Sequence, residues 1–449
     1  MCAVHVTEED LANAFSKFSK YRPIELLAIA EFKKVLFFKA ERDWRVVSNI
    51  TLYRISRFRP MSDSFSTIAF EVTKFLYRID MRFCLVSTQA HWGGGEALLA
   101  SMGNELRLLG HAVSCIVRHE GEAEHRVHDE GTVVLHATKR RGSNLTDWLA
   151  ILKVLRRWSP DVVVLNDSHA VPLVGSAVWF TRQPKPLRLA MKHTIFRLNS
   201  PLKYRLLCDK LICVSQAALQ TVLDGGLPSQ HAVVIHGGCQ PVTSDPTARQ
   251  SVRSEFGITA EQFLIVAVGS LLSIKGHREL IEAVGLLPPS APRSVVLIAG
   301  EGEERHRLEQ QITEQGLATQ VHLLGNRHDV QRLLDAADLV VHPSHAEGLS
   351  LVLIQAQMLG KPIVATAVGG TKEVLAAGSA ECTSWIAQAD APQSLADCIV
   401  QAQVSLANPS SAWKSQLAAT AARMHEQFTV RATAQALAEL AAQMLAAKK

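Results

Sequence analysis

The chain has 449 residues, of which 47% are hydrophobic and 20% charged, and it carries a net charge of +5. This length exceeds one ordinary core and predicts at least two domains, and the composition excludes a disordered chain. The positive charge is too small and too dispersed to indicate nucleic-acid binding. It suits anionic substrates or an anionic membrane surface, and an ordinary solvated surface explains it equally well.

The eight cysteines are scattered and form no Cys-x-x-Cys pair, so neither a zinc ribbon nor a redox dithiol is predicted. Free cysteines within apolar runs fit a reducing cytosol. No run of about 18 uncharged apolar residues occurs, so no transmembrane helix is expected. The acidic start of the chain does not resemble a signal peptide. We therefore expect a cytoplasmic protein.

Residues 1–80 differ from the rest and are interpreted as a basic, helical extension. Residues 24–40 are predicted to form one helix, with Lys33, Lys34 and Lys39 near its end. Such a helix could lie on an anionic membrane surface, peripheral to the inner face of the cytoplasmic membrane, or could pack on the rest of the protein. A third interpretation is that Met81 is the natural start, because a strand pattern begins there.

Residues 81–245 show a repeated strand-then-helix pattern. A glycine loop, Gly93-Gly94-Gly95, follows the first strand, and a helix predicted over residues 96–109 ends at Gly110. Short apolar runs that alternate with helices indicate a parallel sheet covered on both faces. The predicted strands span residues 83–87, 112–117, 161–165, 210–215 and 232–235.

A polar stretch at residues 241–253 is interpreted as a domain linker, after which the pattern restarts over residues 250–425. The sequence thus predicts an α/β protein with two doubly wound, Rossmann-like domains that face a cleft, where the carboxyl ends of the strands would bind ligands. Residues 426–449 are predicted to form a helix that packs back on the N-terminal domain. Strands are predicted at residues 263–268, 295–299 and 321–324, and helices at 277–287, 303–315 and 329–335.

The most informative stretch follows an apolar strand predicted at residues 338–343. It presents one carboxylate, Glu347, at the start of a helix, and a second strand at residues 363–366 leads to Gly369-Gly370. Farther upstream, Lys275 lies in a strand-to-helix loop, and a helix N-terminus beside a lysine can bind a phosphate. Alone, this loop also fits a routine turn.

Gly300-Glu301-Gly302 is a third loop of interest, because glycine lets a ligand approach the backbone. A nicotinamide-dependent oxidoreductase is disfavoured, since Arg305 stands where the third glycine of that fingerprint would be.

In combination and in this order, these motifs resemble those of family 4 glycosyltransferases over about residues 82–440. The resemblance implies the GT-B fold, a nucleoside-diphosphate sugar as donor, and transfer with retention of anomeric configuration. It implies no metal and no other cofactor. It also implies front-face transfer, in which the leaving phosphate helps to take the acceptor proton.

The resemblance also implies roles for particular residues. His193 would project into the cleft near the transferred sugar, and Glu347 would face the sugar hydroxyls, as the two catalytic residues. Lys275 would bind the diphosphate. The remaining donor-binding residues would be Gly94, Gly95, Ser270, Gly302, Arg327, Gly348, Leu349, Ser350 and Gln355.

Two positions depart from the family pattern. Gln355 is neutral where relatives carry a carboxylate on the ribose, and Ser270 stands where many carry an arginine on the diphosphate. Arg327 is a candidate to compensate. These departures keep open an alternative class, a non-catalytic GT-B subunit that binds a sugar nucleotide or serves as a scaffold.

The acceptor is the least specified partner. Arg197, Lys203 and Arg205 follow His193 and could meet a phosphorylated or lipid-linked saccharide, although a solvated loop would look the same. We expect a saccharide or glycolipid acceptor on the cytoplasmic membrane face, in the synthesis of a cell-envelope glycan of the lipopolysaccharide type.

Overall fold

The computed structural model describes most of the chain from residue 81 onward, together with four strands before it. It divides into two compact units, Met1–Ile79 and Asp80–Lys449. Among the described residues, no helix is both long and apolar enough to cross a membrane. The described ranges are 24–30, 35–40, 43–48, 51–55, 81–90, 93–118, 134–137, 145–376, 378–379 and 382–448.

The first unit contains a four-stranded antiparallel sheet, so the helix predicted over residues 24–40 is wrong. Two strands occupy that range and pair with each other, Ile24 opposite Ala40. The segments are rich in Ile, Val, Phe and Trp, which favour strands, and neighbouring strands supply the backbone partners that a helix would supply internally. The strands are β1 (Ile24–Ala30), β2 (Val35–Ala40), β3 (Asp43–Ser48) and β4 (Thr51–Ile55), in the order β1-β2-β3-β4.

The N-terminal domain of the second unit is a seven-stranded parallel sheet with helices. Its strand order, counted within the domain, is 3-2-1-4-5-6-7, which is doubly wound. The strands are β5 (Arg82–Ser87), β6 (Ala112–Arg118), β7 (Val134–Ala137), β8 (Val162–Leu165), β9 (Leu187–Lys192), β10 (Lys210–Cys213) and β11 (Ala232–Val234), and the helices are α1 (Gly94–Leu108), α2 (Leu145–Trp158), α3 (Ala170–Val178), α4 (Pro201–Leu207) and α5 (Gln216–Asp224).

The C-terminal domain repeats this architecture with six parallel strands in the order 3-2-1-4-5-6. The strands are β12 (Phe263–Val268), β13 (Ser294–Ala299), β14 (Val321–Gly325), β15 (Leu339–His342), β16 (Ile363–Thr366) and β17 (Trp385–Ala387), and the helices are α6 (Ala248–Glu255), α7 (His277–Gly285), α8 (Arg305–Glu314), α9 (Val330–Ala336), α10 (Leu351–Met358), α11 (Thr371–Leu375), α12 (Pro392–Ala407), α13 (Ser411–Gln427) and α14 (Val430–Ala447). The predicted pair of doubly wound domains is confirmed.

Two segments differ from their predicted form. Helix α6 begins within residues 241–253, the stretch interpreted as a linker, and it packs on α9 of the C-terminal domain. In residues 426–449, predicted as one helix, α13 continues to Gln427 and α14 begins at Val430, because Thr429 adopts extended backbone and its side chain accepts a hydrogen bond from the Ala432 N–H. Helix α14 packs on α1 and β9 of the N-terminal domain.

Buried apolar strands explain why both sheets form. All four side chains of Val162–Leu165 are buried, as are all six of Ser294–Ala299. In the C-terminal domain, consecutive strand residues such as Leu264 and Ile265 belong to different apolar clusters, one on each face of the sheet. Burial on both sheet faces is what a parallel sheet between helix layers requires.

Each domain has one topological switch point, where the strand order reverses. In the N-terminal domain it lies between β5 and β8, and in the C-terminal domain between β12 and β15. Ligands of doubly wound sheets bind beyond the strand carboxyl ends at these points. The residues that follow β5, β8, β12 and β15 are therefore the first candidates for a site.

Candidate active site

Glu347 lies in the loop between β15 and α10, at the switch point of the C-terminal domain. Its Oε1 accepts hydrogen bonds from Lys275 Nζ at 2.6 Å, Ser344 Oγ at 2.9 Å and His342 Nε2 at 3.1 Å. Only 10% of the Glu347 side chain is exposed. The loop after β12 thus brings Lys275 to the carboxylate, as the shared strand edge predicts.

These donors keep Glu347 ionised. Burial alone would raise the pKa of this carboxyl, but the hydrogen bond and charge of His342, together with the Lys275 ammonium, outweigh it and lower the pKa to about 2. Glu347 is therefore a fixed hydrogen-bond acceptor at neutral pH, suited to hydroxyl donors rather than to proton exchange.

His193 directly follows β9 in the N-terminal domain. Its Nε2 lies 2.8 Å from Asn166 Oδ1, and Asn166 Nδ2 lies 3.3 Å from Glu96 Oε1. Because the Asn166 amide donates to Glu96, its oxygen accepts from His193, so Nε2 carries the proton and Nδ1 keeps a free lone pair. Burial lowers the pKa of His193 to about 4, so the imidazole is neutral at pH 7.

Glycines let the two domains approach at this point. A Cβ on Gly348 would lie 1.8 Å from the carbonyl oxygen of His193, and one on Gly370 would lie 2.9 Å from Ser215 Oγ. On the N-terminal side, a Cβ on Gly95 would lie 3.2 Å from the His193 ring. Any side chain at Gly348 would force the domains apart, so the close approach requires glycine there.

A cavity of about 340 Å³ lies between the domains and collects most of the predicted site residues. Both the Lys275–Glu347 pair and His193 line it, from opposite sides. The predicted residues in its lining are Gly94, Gly95, His193, Lys275, Glu347, Gly348, Leu349 and Ser350.

The four other predicted residues, Ser270, Gly302, Arg327 and Gln355, do not line this cavity. Arg327 is engaged by Glu255 and Asp329, each at 2.8 Å, away from the Lys275 loop. A Cβ on Gly302 would lie 2.3 Å from the Leu271 carbonyl oxygen, so chain packing accounts for this glycine.

A second cavity, of about 540 Å³, adjoins the first and shares Gly95, His193 and Thr194 with it. Arg197 and Lys203, which the sequence singled out, line this cavity together with Lys192. Arg205 is not part of its lining.

Sequence reasoning missed Asn166, Asp167 and His342. A signal was available, since Asn166-Asp167 directly follow β8 and His342 ends β15, at the carboxyl ends of the two switch-point strands. Asp167 caps the start of α3, where it accepts from the N–H groups of His169 and Ala170. Its carboxylate therefore shapes the floor of the second cavity.

Two facing Rossmann-like domains with a cavity at both switch points define a protein of the GT-B fold. Residues 248–403 match the family model described as glycosyl transferases group 1, and residues 92–241 match that of glycosyltransferase family 4. This chain belongs to that family of glycosyltransferases, as its sequence motifs predicted.

Among curated relatives, lipopolysaccharide glucosyltransferase WaaG of Escherichia coli K12 is 30% identical over 203 residues, which are 44% of this chain and 52% of WaaG. D-inositol 3-phosphate glycosyltransferase of Xylanimonas cellulosilytica is 37% identical over 140 residues, 30% of this chain and 33% of the relative. The chain thus spans about half or less of the length of these relatives.

Solved structures share the fold over both domains. Anabaena HepE in complex with UDP superposes with a TM-score of 0.70 at 22% identity, covering 81% of this chain and all of HepE. WaaG superposes with a TM-score of 0.60 at 17% identity, covering 80% and 99% of the two chains.

Proposed function

We propose that this chain is a retaining glycosyltransferase that moves a sugar from a nucleoside-diphosphate sugar to a saccharide or lipid-linked acceptor. The observation that carries the proposal is the 340 Å³ interdomain cavity, which places the Lys275–Glu347 pair of one domain opposite His193 of the other. One cavity thereby offers a cation, a fixed carboxylate and a neutral imidazole.

On the donor side, Lys275 and the start of α10 are the groups for a diphosphate. Ser350 caps α10, where its Oγ accepts from the Leu353 N–H, and Gly348, Leu349 and Ser350 line the cavity ahead of the helix. A helix N-terminus and a lysine both stabilise negative charge. HepE was solved with UDP and with UDP-glucose, so uridine donors are the first to test.

The charges that develop during sugar transfer indicate which residues would stabilise the reaction. Departure of a nucleoside diphosphate builds negative charge on phosphate and positive charge on the sugar. Lys275 and the amides before α10 would stabilise the leaving group as preorganised electrostatics. Within the described lining, Glu347 is the one carboxylate, and its Oε1 is held by three donors. Front-face transfer, with the leaving phosphate taking the acceptor proton, therefore fits better than a glycosyl-enzyme.

On the acceptor side, the 540 Å³ cavity presents Lys192, Arg197 and Lys203. Burial lowers the pKa of Lys192 and of Lys203. Lys192 donates a hydrogen bond to Thr194 Oγ1 and Lys203 donates one to the Ser168 carbonyl, and these bonds hold both amino groups near the cavity. Three cations around one opening favour an anionic group on the acceptor, such as a phosphorylated sugar.

Exposed apolar side chains adjoin the cationic lining residues of this second cavity along the chain. Phe196, Leu202 and Leu206 are 59%, 58% and 53% exposed, and the two leucines share one face of α4. Apolar groups beside cations suit the interface of an anionic membrane. We therefore propose that the protein acts at the inner face of the cytoplasmic membrane on a cell-envelope glycolipid of the lipopolysaccharide type, a proposal that the similarity to WaaG supports.

A thermal-shift screen of the full chain against UDP, GDP, ADP, CMP and their sugar conjugates tests the donor assignment. A ligand that binds only the native state raises the melting temperature by mass action. We expect one nucleoside diphosphate to produce a shift that Lys275→Met abolishes. Turnover of that donor by the purified chain would establish an enzyme, whereas binding without turnover would favour the scaffold alternative raised by Gln355 and Ser270.

A further inference from the structure

A cluster of potential metal ligands lies in the C-terminal domain, outside the interdomain cavity. It joins three separate segments: Glu279 in the first turn of α7, His345 in the loop after β15, and Asp390 in the loop after β17. One ligand atom from each residue lies within 4.8 Å of the others. Sequence separations of 45 to 111 residues explain why no motif indicated this cluster.

Glu279 is the unusual member, because a carboxylate is rarely buried without full pairing. Its side chain is 4% exposed. Its Oε1 accepts from Arg278 Nη2 at 2.6 Å, but its Oε2 has no hydrogen-bond partner among the described residues. His345 Nε2 also has none within those residues. An unpaired buried carboxylate oxygen carries a large desolvation cost, which a cation would offset.

The spacing of these two atoms suits a bound ion. Glu279 Oε2 and His345 Nε2 lie 3.3 Å apart without a hydrogen bond between them. Ligand atoms at about 2.0–2.2 Å from a tetrahedral zinc ion lie roughly 3.3–3.6 Å from each other. Asp390 is 72% exposed and can close on the same point from the solvent side.

The charges and surroundings also fit a cation. Glu279 and Asp390 supply two negative charges, and Arg278 supplies one positive charge. Arg278 Nη2 lies 3.7 Å from Asp390 Oδ1 and 2.6 Å from Glu279 Oε1, the oxygen that does not face His345. A cavity of about 330 Å³, which Glu279 and His345 line with Ser273 and Glu304, leaves room for a water as a fourth ligand. Imidazole with carboxylates is a ligand set that zinc accepts.

From these observations we propose that Glu279, His345 and Asp390 bind a divalent transition-metal ion of the zinc class. This ion is structural and takes no part in sugar transfer. The His345 N–H donates to the Ile274 carbonyl at 2.9 Å, so the metal-binding loop is joined directly to the turn that carries Lys275. An ion here would cross-link α7, the Glu347 loop and the loop after β17, and would hold both donor-binding loops in place.

The test is metal binding by the full chain after removal of ions with a chelator. Zinc is titrated calorimetrically and the bound metal is quantified, and Co²⁺ replaces zinc for absorption spectra that report tetrahedral ligation. We expect one ion per chain and a rise in melting temperature with zinc. His345→Gln and Asp390→Asn should each weaken binding at least about 10-fold, because even outer-shell changes cost that much.

Matched controls separate this site from adventitious binding to exposed side chains. His306→Gln and Asp397→Asn change exposed residues of the same types in α8 and α12, and they should leave zinc affinity unchanged. Asp390→Asn alters an exposed side chain and is expected to fold normally, which circular dichroism checks. Absence of stoichiometric zinc binding, or equal binding by the site variants and the controls, would overturn the proposal and leave His345 and Glu279 as an ion pair.

Discussion

His236 Nε2 and Glu373 Oε2 lie 2.8 Å apart and join the two domains across the cleft. The same carboxylate accepts hydrogen bonds from the N–H groups of Gln216 and Ala217 at 2.9 and 3.1 Å, so the C-terminal domain caps helix α5 of the N-terminal domain. Burial acts to raise the pKa of Glu373, but the His236 and amide hydrogen bonds lower it on balance. This contact therefore holds the cleft closed with an ionised carboxylate.

Replacing Glu373 by Ala should loosen the closed cleft. Loss of a helix cap costs about 0.5–2 kcal/mol. We expect the free energy of unfolding, measured in urea, to fall by this amount, and the radius of gyration from X-ray scattering to increase. Glu439→Gln, an exposed residue on α14, is the matched control. Unchanged scattering and stability in Glu373→Ala would show that the contact does not hold the domains together.

Gly348→Ala should separate the proposed catalytic residues Glu347 and His193 without unfolding either domain. Its new Cβ would lie 1.8 Å from the His193 carbonyl oxygen, which belongs to the opposite domain. A displacement of about 1 Å can cost 100-fold in rate, so we expect kcat/KM to fall by about that factor.

Gly285→Ala is the control for this substitution, because the nearest atom to its Cβ would be the end of the Gln315 side chain at 3.2 Å, followed by Leu317 Cδ1 at 3.9 Å, and no backbone atom lies as close. It should retain the activity of the unmodified chain. Full activity in Gly348→Ala would mean that catalysis does not need the observed domain approach.

Stability should fall below pH 6.5 because two buried histidines remain neutral in the folded state. Burial lowers the pKa of His193 and of His277 from 6.5 to about 4. The unfolded chain then binds protons first, so their contribution is complete above pH 6.5 and is lost as the pH falls to about 4, by up to about 1.4 kcal/mol per pH unit for each residue.

His277→Gln isolates one of these contributions. The amide can still donate to the Gly269 carbonyl, which His277 contacts at 3.3 Å, but it does not titrate. Urea unfolding across this pH window should show a shallower decline than in the unmodified chain, while the exposed control His306→Gln keeps the original slope. If the free energy of unfolding depends on pH equally in all three proteins, His277 is not a buried neutral histidine that lowers stability in acid.

The Asn166 amide is expected to set the protonation of His193. Asn166→Asp places a carboxylate beside Nε2, and an opposite charge at that distance raises a histidine pKa by about 1–3 units. The acid limb of the pH–rate profile should therefore shift to higher pH. The control Asn104→Asp makes the same change at an exposed position of α1. A profile that is unchanged by Asn166→Asp would remove His193 from the titrating groups that govern the rate.

Local pattern was sufficient to predict that Glu347 lies between a buried strand and the start of a helix. A buried strand, a polar loop and a helix start lie within about twenty residues, and the edge of a parallel sheet brings the equivalent Lys275 loop alongside. The helix predicted over residues 24–40 was wrong because a short apolar run fits a strand as well as a helix, and pairing with a neighbouring strand decides between them; here β1 and β2 pair with each other.

Contacts between distant residues could not be predicted in the same way. Glu373 contacts His236 across 137 positions, and Arg327 pairs with Glu255, the last residue of α6, a helix that begins within the stretch interpreted as a linker. Nothing in the local sequence indicates either partner. The second cavity was predicted only through its cations, because its lining also depends on Asn166 and Asp167, which contact His193 and the start of α3.

Donor hydrolysis and sugar transfer by the purified full chain, compared with Glu347→Ala, test the proposed glycosyltransferase activity most directly. Removal of this carboxylate leaves Lys275, His342 and Ser344 without their common acceptor, while the strands around them remain buried. We expect measurable turnover of one nucleoside-diphosphate sugar by the unmodified chain, and its loss in a Glu347→Ala protein with an unchanged circular dichroism spectrum. Turnover by Glu347→Ala at the original rate would contradict this expectation.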